Sequence, residues 1–294
     1  MKVLVTGGTG FVGSRIVHAL RAEGRDVRAL VRRPEHATHL ASLGVEPVTG
    51  DVTDAASVAA AAAGCSHVVH LVAILTGKPH DFERVMTLGT RNVIAAAKDA
   101  GVERFVLMSA LGTTAATKDV TPYFGAKWSM EQDTAMSGLE YAIFRPSFVF
   151  GRGGALQTFM KQVRYAPVVT VIGSGQRRVQ PIWIDDVAAH FVRALDTPTA
   201  ANKTFEIGGP DIVTWDDLYR TIAKVLGKRR ALAHVPAALA TAGARLTQWL
   251  PGAPLTTDQI AMIEAGDNVV TNTDAVHTFQ LPLVPLEDQI RRVA

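Results

Sequence analysis

Residues 2–13, Lys2-Val-Leu-Val-Thr-Gly-Gly-Thr-Gly-Phe-Val-Gly13, decide how this chain folds. A short apolar run leads straight into three glycines at positions 7, 10 and 13, and an amphipathic pattern follows from Phe11. A strand that turns on glycine into a helix leaves the helix N–H groups and the positive end of its dipole facing outward. That arrangement cradles a pyrophosphate: Gly7 permits the tight turn, Gly10 removes a Cβ from the path of the phosphates, and Gly13 allows close helix packing. Thr9, Phe11 and Val12, which complete the turn, are expected to present backbone to the same ligand.

Working outward, strand-like apolar runs recur at Val3–Thr6, Val27–Val31, Val45–Thr49, His67–Val72, Arg104–Ser109 and Tyr141–Arg145. Helical patterns separate them at Phe11–Glu23, His36–Leu43, Ala55–Ala63, Phe82–Ala100 and Tyr123–Ser137. Alternation of this kind implies right-handed βαβ crossovers, and nearly uniform apolar strands imply a sheet covered on both faces. The expected class is α/β, a Rossmann-type doubly wound parallel sheet. Residues 1–150 are expected to form the dinucleotide-binding core. Residues 151–294 read as a mixed region of late core elements and a smaller C-terminal substrate lobe, with strands near Ile182–Ile184 and Thr204–Ile207 and helices at Trp215–Leu226 and Ala237–Leu250.

Composition bounds the partners. The formal charge is +3, no run of five Lys or Arg occurs, and 48% of residues are hydrophobic, which argues against nucleic acid and for a large core. No apolar run of 18 residues is present, so no transmembrane segment is expected, and Met1 leads into a strand without a signal peptide. The single cysteine, Cys65, fits a reducing compartment, and the expected location is cytoplasmic. No metal is expected: His67 and His70 are three apart on one strand and point to opposite faces.

Two features bear on the cofactor. The second strand ends Ala29-Leu-Val-Arg-Arg33, without the Asp or Glu that would accept hydrogen bonds from a ribose 2′-OH. Arg32 and Arg33 would hold a 2′-phosphate instead, so NADP(H) is preferred over NAD(H). Solvated loop arginines are the rival reading. After the third strand, Asp51 and Val52 stand where a carboxylate would meet the adenine amino group, with a plain helix-capping aspartate as the rival.

The candidate for chemistry is Tyr123-Phe-Gly-Ala-Lys127, with an ordinary Tyr/Lys pair on a helix as the rival reading. Positions four apart share a helix face, so phenol and ammonium point into one cleft. A cation beside the phenol would stabilise the phenolate and lower its pKa, while also bonding the nicotinamide ribose. Late in the chain, Leu239, Ala242, Leu246 and Trp249 form a stripe at helical spacing that reads as core or the roof of a substrate pocket, with a membrane-surface helix or a partner helix as the alternative.

Taken together, Thr6–Gly13, His70-Leu-Val-Ala73, Tyr123-x-x-x-Lys127 and Arg145-Pro-Ser-Phe-Val-Phe-Gly151 resemble the short-chain dehydrogenase/reductase superfamily, in the extended and atypical branch that includes nucleotide-sugar epimerases and dehydratases. Val171-Ile-Gly-Ser-Gly, Gln180-Pro-Ile-Trp-Ile-Asp-Asp-Val187 and Thr204-Phe-Glu-Ile-Gly-Gly-Pro210 are similar to a narrower group, the bacterial relatives of the NADPH-binding accessory subunit of respiratory complex I. The resemblance implies an NAD(P)-dependent oxidoreductase or epimerase acting on a small-molecule substrate. Its alternative is a non-catalytic NADPH-binding subunit or redox sensor, peripherally associated with a membrane complex.

Position by position, the resemblance makes Tyr123 the acid–base and Lys127 its partner and ribose ligand. It passes the backbone at Leu71, Val72 and Ala73 over the cofactor and puts Pro146 and Ser147 near the nicotinamide end. The segment that should hold the catalytic Ser or Thr reads Leu107-Met-Ser-Ala-Leu-Gly-Thr-Thr114. Here the chain departs from the pattern: the aligned position is Ala110, with Ser109 beside it as the candidate and Thr113 as a second hydroxyl.

Overall fold

Each of the six early apolar runs forms a strand in the computed structural model, which describes residues 1–33, 35–247 and 256–294. They are β1 (Lys2–Thr6), β2 (Asp26–Val31), β3 (Glu46–Thr49), β4 (His67–His70), β5 (Arg104–Met108) and β6 (Tyr141–Pro146). With the later strand Lys203–Ile207 they make one seven-stranded sheet in the order Lys203–Ile207, β6, β5, β4, β1, β2, β3. Every pairing in it is parallel, with Val5 opposite both Ala29 of β2 and Val69 of β4. The doubly wound parallel sheet is therefore the observed architecture. Val3, Leu4 and Val5 are fully buried, as strands covered on both faces require.

The crossovers are α1 (Phe11–Ala22), α2 (Glu35–Ser42), α3 (Ala55–Ala62), α4 (Pro79–Phe82), α5 (Gly89–Asp99) and α6 (Pro122–Ala135). Asp54 caps α3 by accepting from Ala56 N, and Thr121 caps α6 by accepting from Phe124 N. Two boundaries differ from the periodicity. The strand expected to run to Val72 ends at His70, so residues 71–73 leave the sheet. The single helix expected over Phe82–Ala100 is α4, a π-helical turn at Glu83–Leu88, and α5. In the first turn of α5 the Thr90 hydroxyl donates back to Met86 O of the π-helical turn at 2.5 Å.

The sheet belongs to a unit formed by Met1–Pro146, Ile184–Ile207 and Asn272–Leu281. The late segments return because of aromatic packing. Phe144 on β6 stacks on Phe205 at 5.5 Å and meets Phe191 at 4.7 Å, and Phe279 closes on Phe205 at 5.0 Å. A second unit contains Ser147–Trp183, Gly208–Thr271 and Pro282–Ala294. Its rings pack on one another: Phe148, Phe150, Phe159 and Trp215 meet edge to face at 5.6–6.3 Å. Phe150 is completely buried in this core.

The stripe over Ala237–Thr247 is a correction. Leu239 is 65% and Leu246 73% exposed, while Ala244 is the buried residue of this helix. The helix is turned so that its small residue meets the unit and the leucines face out. Trp249 lies outside the described residues.

Candidate active site

The glycine turn is dictated by clearance. Gly7 has φ +79°, and a Cβ there would lie 3.1 Å from Leu71 C and 3.2 Å from Val72 N. The turn thus lies directly against the segment where β4 leaves the sheet, which brings Gly7 into backbone contact with Leu71 and Val72. A Cβ on Gly13 would stand 2.1 Å from Gly7 O, so no side chain fits there. The close contact is with the turn itself and less with the sheet. Gly10 N donates to Gly7 O at 3.0 Å and Ser14 N to Gly10 O at 2.9 Å.

Gly10 is the N-cap of α1, no side chain caps the helix, and its first turn holds no acid. Thr9 and Gly10 are exposed, Phe11 is half-buried, and the Val12 side chain is buried, so Val12 offers only backbone to a ligand. These features fit a dinucleotide pyrophosphate, because the first N–H groups of a helix have no intrahelical partner and no carboxylate competes for them.

Arg32 and Arg33 are exposed just past β2 and make no ion pair or hydrogen bond among the described residues. Gly50 N donates to Val31 O at 3.0 Å, which seats the Gly50–Asp51 loop beside the end of β2. Asp51 Oδ1 accepts from Thr53 N and Thr53 Oγ1, both at 2.8 Å. Asp51 therefore shapes its own turn, while the cap of α3 is Asp54. Val52 is buried against Gly89, and its carbonyl accepts from Asn92 at 2.8 Å. Ala73 is exposed and half-buried Val72 precedes it, so this strip is open on one side.

At the end of β5 the site is built from side chains. Lys127 is 1% exposed and donates from Nζ to Met108 O at 2.6 Å. The same ammonium lies 5.8 Å from the centroid of the Tyr123 ring. Ser109 follows Met108, is buried, and its Oγ lies 3.5 Å from Thr113 Oγ1. Ser109 N donates to Phe144 O at 2.7 Å and Leu111 N to Pro146 O at 2.9 Å, which ties this segment to β6. Pro146 closes that strand. Ser147 opens the second unit, where its hydroxyl donates to Gln180 O.

The expected lowering of the Tyr123 phenol is not what this arrangement produces. Burial pushes the phenol up, and it pulls the Lys127 ammonium down to about 8. Desolvation of the phenolate outweighs a cation that sits over the ring face and gives its hydrogen bond to a carbonyl.

A buried polar chain went unread in the sequence. The Thr90 hydroxyl donates to Met86 O, so its oxygen accepts from His70 Nε2–H at 2.9 Å. His70 Nδ1 then accepts from the Thr6 hydroxyl at 2.6 Å. Burial holds His70 far below the usual imidazole range, to about 3, with Lys127 adding to the effect. This neutral imidazole links the residue preceding Gly7 to the π-helical turn. The only sequence signal was a histidine and two threonines whose pairing no local pattern reveals.

A family model described as NAD(P)H-binding matches residues 7–198. A ceramide reductase from Caulobacter vibrioides is 32% identical over 251 residues, covering 84% of this chain and 78% of the relative. The mitochondrial NADH dehydrogenase [ubiquinone] 1 alpha subcomplex subunit 9 of Arabidopsis thaliana is 28% identical, covering 96% and 73%. Among solved structures, an NADPH-dependent quinone oxidoreductase from Escherichia coli complexed with NADPH superposes with a TM-score of 0.82 at 21% identity, covering 98% of both chains.

Proposed function

Because the chain belongs to the NAD(P)H-binding family, as an NAD(P)-dependent oxidoreductase of the short-chain dehydrogenase/reductase type, we propose that it uses NADP(H) to oxidise or reduce a small molecule at a carbon bearing oxygen. When bound, the nicotinamide supplies or accepts the hydride. The N-terminus of α1 and the Gly7–Gly13 turn hold the pyrophosphate. Arg32 and Arg33 take the 2′-phosphate, an assignment supported by their exposure and lack of partners among the described residues.

Tyr123 exchanges a proton with the substrate oxygen, and Ser109 or Thr113 donates a hydrogen bond to that oxygen. Lys127 holds the nicotinamide ribose and supplies positive charge beside the phenol. The observation that carries this reading is the buried Tyr123–Lys127 pair, with the ammonium anchored on Met108 O next to Ser109. A phenol raised by burial is a poor proton donor until a substrate oxygen and the ribose replace the dry surroundings with polar partners. The test is a screen of carbonyl substrates with NADPH in wild type and Tyr123→Phe. Turnover in the first and none in the second is expected, whereas equal rates in the two would refute the assignment.

A second reading is a subunit that retains NADPH without turnover, favoured by the 96% coverage of this chain in its match to the mitochondrial NADH dehydrogenase subunit. Cofactor that stays bound through purification and is not oxidised by any carbonyl or quinone tried would support it. Among the described residues no helix is long and apolar enough to cross a membrane, so association with such a complex would be peripheral.

A further inference from the structure

The four-residue step from Tyr123 to Lys127 continues once more along α6 and reaches Glu131. A phenol, an ammonium and a carboxylate therefore line one helix face over two turns. They are 8%, 1% and 3% exposed. Beyond Glu131 the charges leave the helix. Arg145 on β6 binds Glu131 in a two-pronged contact, Nε to Oε1 at 2.9 Å and Nη2 to Oε2 at 2.6 Å. Arg145 stands opposite Glu206 in the sheet register, with Nη1 3.9 Å from Oε1. From Lys127 inward the signs alternate: plus, minus, plus, minus.

A lone ammonium this deeply buried would shed its proton, since desolvation penalises the charged form. The neighbouring elements offer little else to oppose that. β4 contributes His70, which is neutral, and β5 contributes the Met108 carbonyl. In the π-helical turn Glu83 and Arg84 are exposed, and on α5 Arg91 pairs with Asp133 of α6 on the outer side. Glu131 is the buried carboxylate on the Lys127 face, and it pulls the ammonium pKa back up against burial. Arg145 in turn gives a charge-assisted hydrogen bond to each of the Glu131 oxygens.

We propose that Glu131, on the same buried face of α6 one turn beyond Lys127, clamped by Arg145 and backed by Glu206, is a positioning residue whose charge keeps the buried Lys127 an ammonium beside Tyr123. This rests on reading Lys127 as the partner of Tyr123 and ligand of the cofactor ribose. It also gives Arg145 a role: the arginine of the Arg145-Pro-Ser segment acts on the site through Glu131.

Two measurements separate the inference from the reading beneath it. The Lys127 titration is followed directly by NMR of the labelled side chain in wild type, Glu131→Gln and Glu206→Gln, with unfolding midpoints recorded for each. Wild-type Lys127 is expected to titrate near pH 8. Glu131→Gln should move this down by about one pH unit or more, and Glu206→Gln in the same direction by a smaller but resolvable step of about half a unit. NADPH affinity is measured over the same pH range. It should weaken as pH rises through the Lys127 titration, at lower pH in Glu131→Gln than in wild type, and be flat in Lys127→Met. An unmoved Lys127 titration in folded Glu131→Gln overturns the inference; should that variant not fold, an unmoved titration in Glu206→Gln does so. A moved titration with NADPH affinity flat at all pH values upholds the charge clamp and refutes the ribose contact.

Discussion

The turn after β1 and the segment after β5 stand at the same carboxyl edge of one parallel sheet, yet they are built in opposite ways. The first is backbone and space: Gly10 is exposed, α1 has no side-chain cap, and Gly13 is a position where no Cβ fits. The second is side chain and burial: Tyr123 is 8% and Lys127 1% exposed, and both titrate away from their ordinary values because they are dry. A backbone site is ready for its ligand as it stands, because helix N–H groups need no rearrangement to meet a phosphate. A dry side-chain site depends on what surrounds it, and its protonation states change when polar ligand atoms arrive.

That contrast can be broken by substitution at either end. The largest effect is expected from Tyr123→Phe, a loss of turnover of about 10³-fold with NADPH affinity held within a few-fold. Steady-state rates and a fluorescence titration check it, and parallel losses in both would erase the distinction between the two ends. Next is Gly13→Ala, whose Cβ would overlap Gly7 O at 2.1 Å. NADPH affinity should fall by roughly 100-fold or more as the turn opens, since the helix N-terminus moves off the phosphates.

The third concerns the polar chain between the two ends. His70 titrates near 3 in the fold, against about 6.5 in an unfolded chain. The unfolded state binds the proton first, so the stability His70 contributes is fully present above about pH 6.5 and is lost as pH falls toward 3. At pH 5 the loss is about 2 kcal/mol. Urea unfolding at pH 7 and pH 5 should show that difference shrinking by a similar amount in His70→Gln. The smallest effect is expected for Arg32→Ala with Arg33→Ala, about a tenfold loss in NADPH affinity with NADH affinity nearly unchanged. Tighter NADH than NADPH binding in wild type would reverse the cofactor assignment.

How much of this was legible beforehand follows from the kind of interaction involved. The six early strands and the glycine turn were readable because their causes are local: apolar runs bounded by glycine, and a helix opening within the same dozen residues. The Tyr123–Lys127 spacing was readable because a helix face repeats every four residues. Their protonation was not: burial raised the phenol that the lysine alone would have lowered. The stripe at Leu239 and Leu246 misled, because periodicity locates an apolar face without saying which way the helix is turned. The π-helical turn at Glu83–Leu88 and the His70 chain were hidden for a related reason, since Thr6, His70 and Thr90 meet only once β1, β4 and α5 are assembled.

By itself, then, the amino-acid order determined the parallel α/β sheet and the glycine turn that opens α1, and it put Arg32 and Arg33 at the end of β2. These rest on backbone conformation and contacts between near neighbours in the chain. Assembly alone settled how buried the Tyr123–Lys127 pair became and which carboxylate faced it. It also packed Ile184–Ile207 into the unit that holds the sheet. Glu131, Arg145 and Glu206 are far apart in the chain, and only tertiary packing removes the water that would otherwise screen their charges.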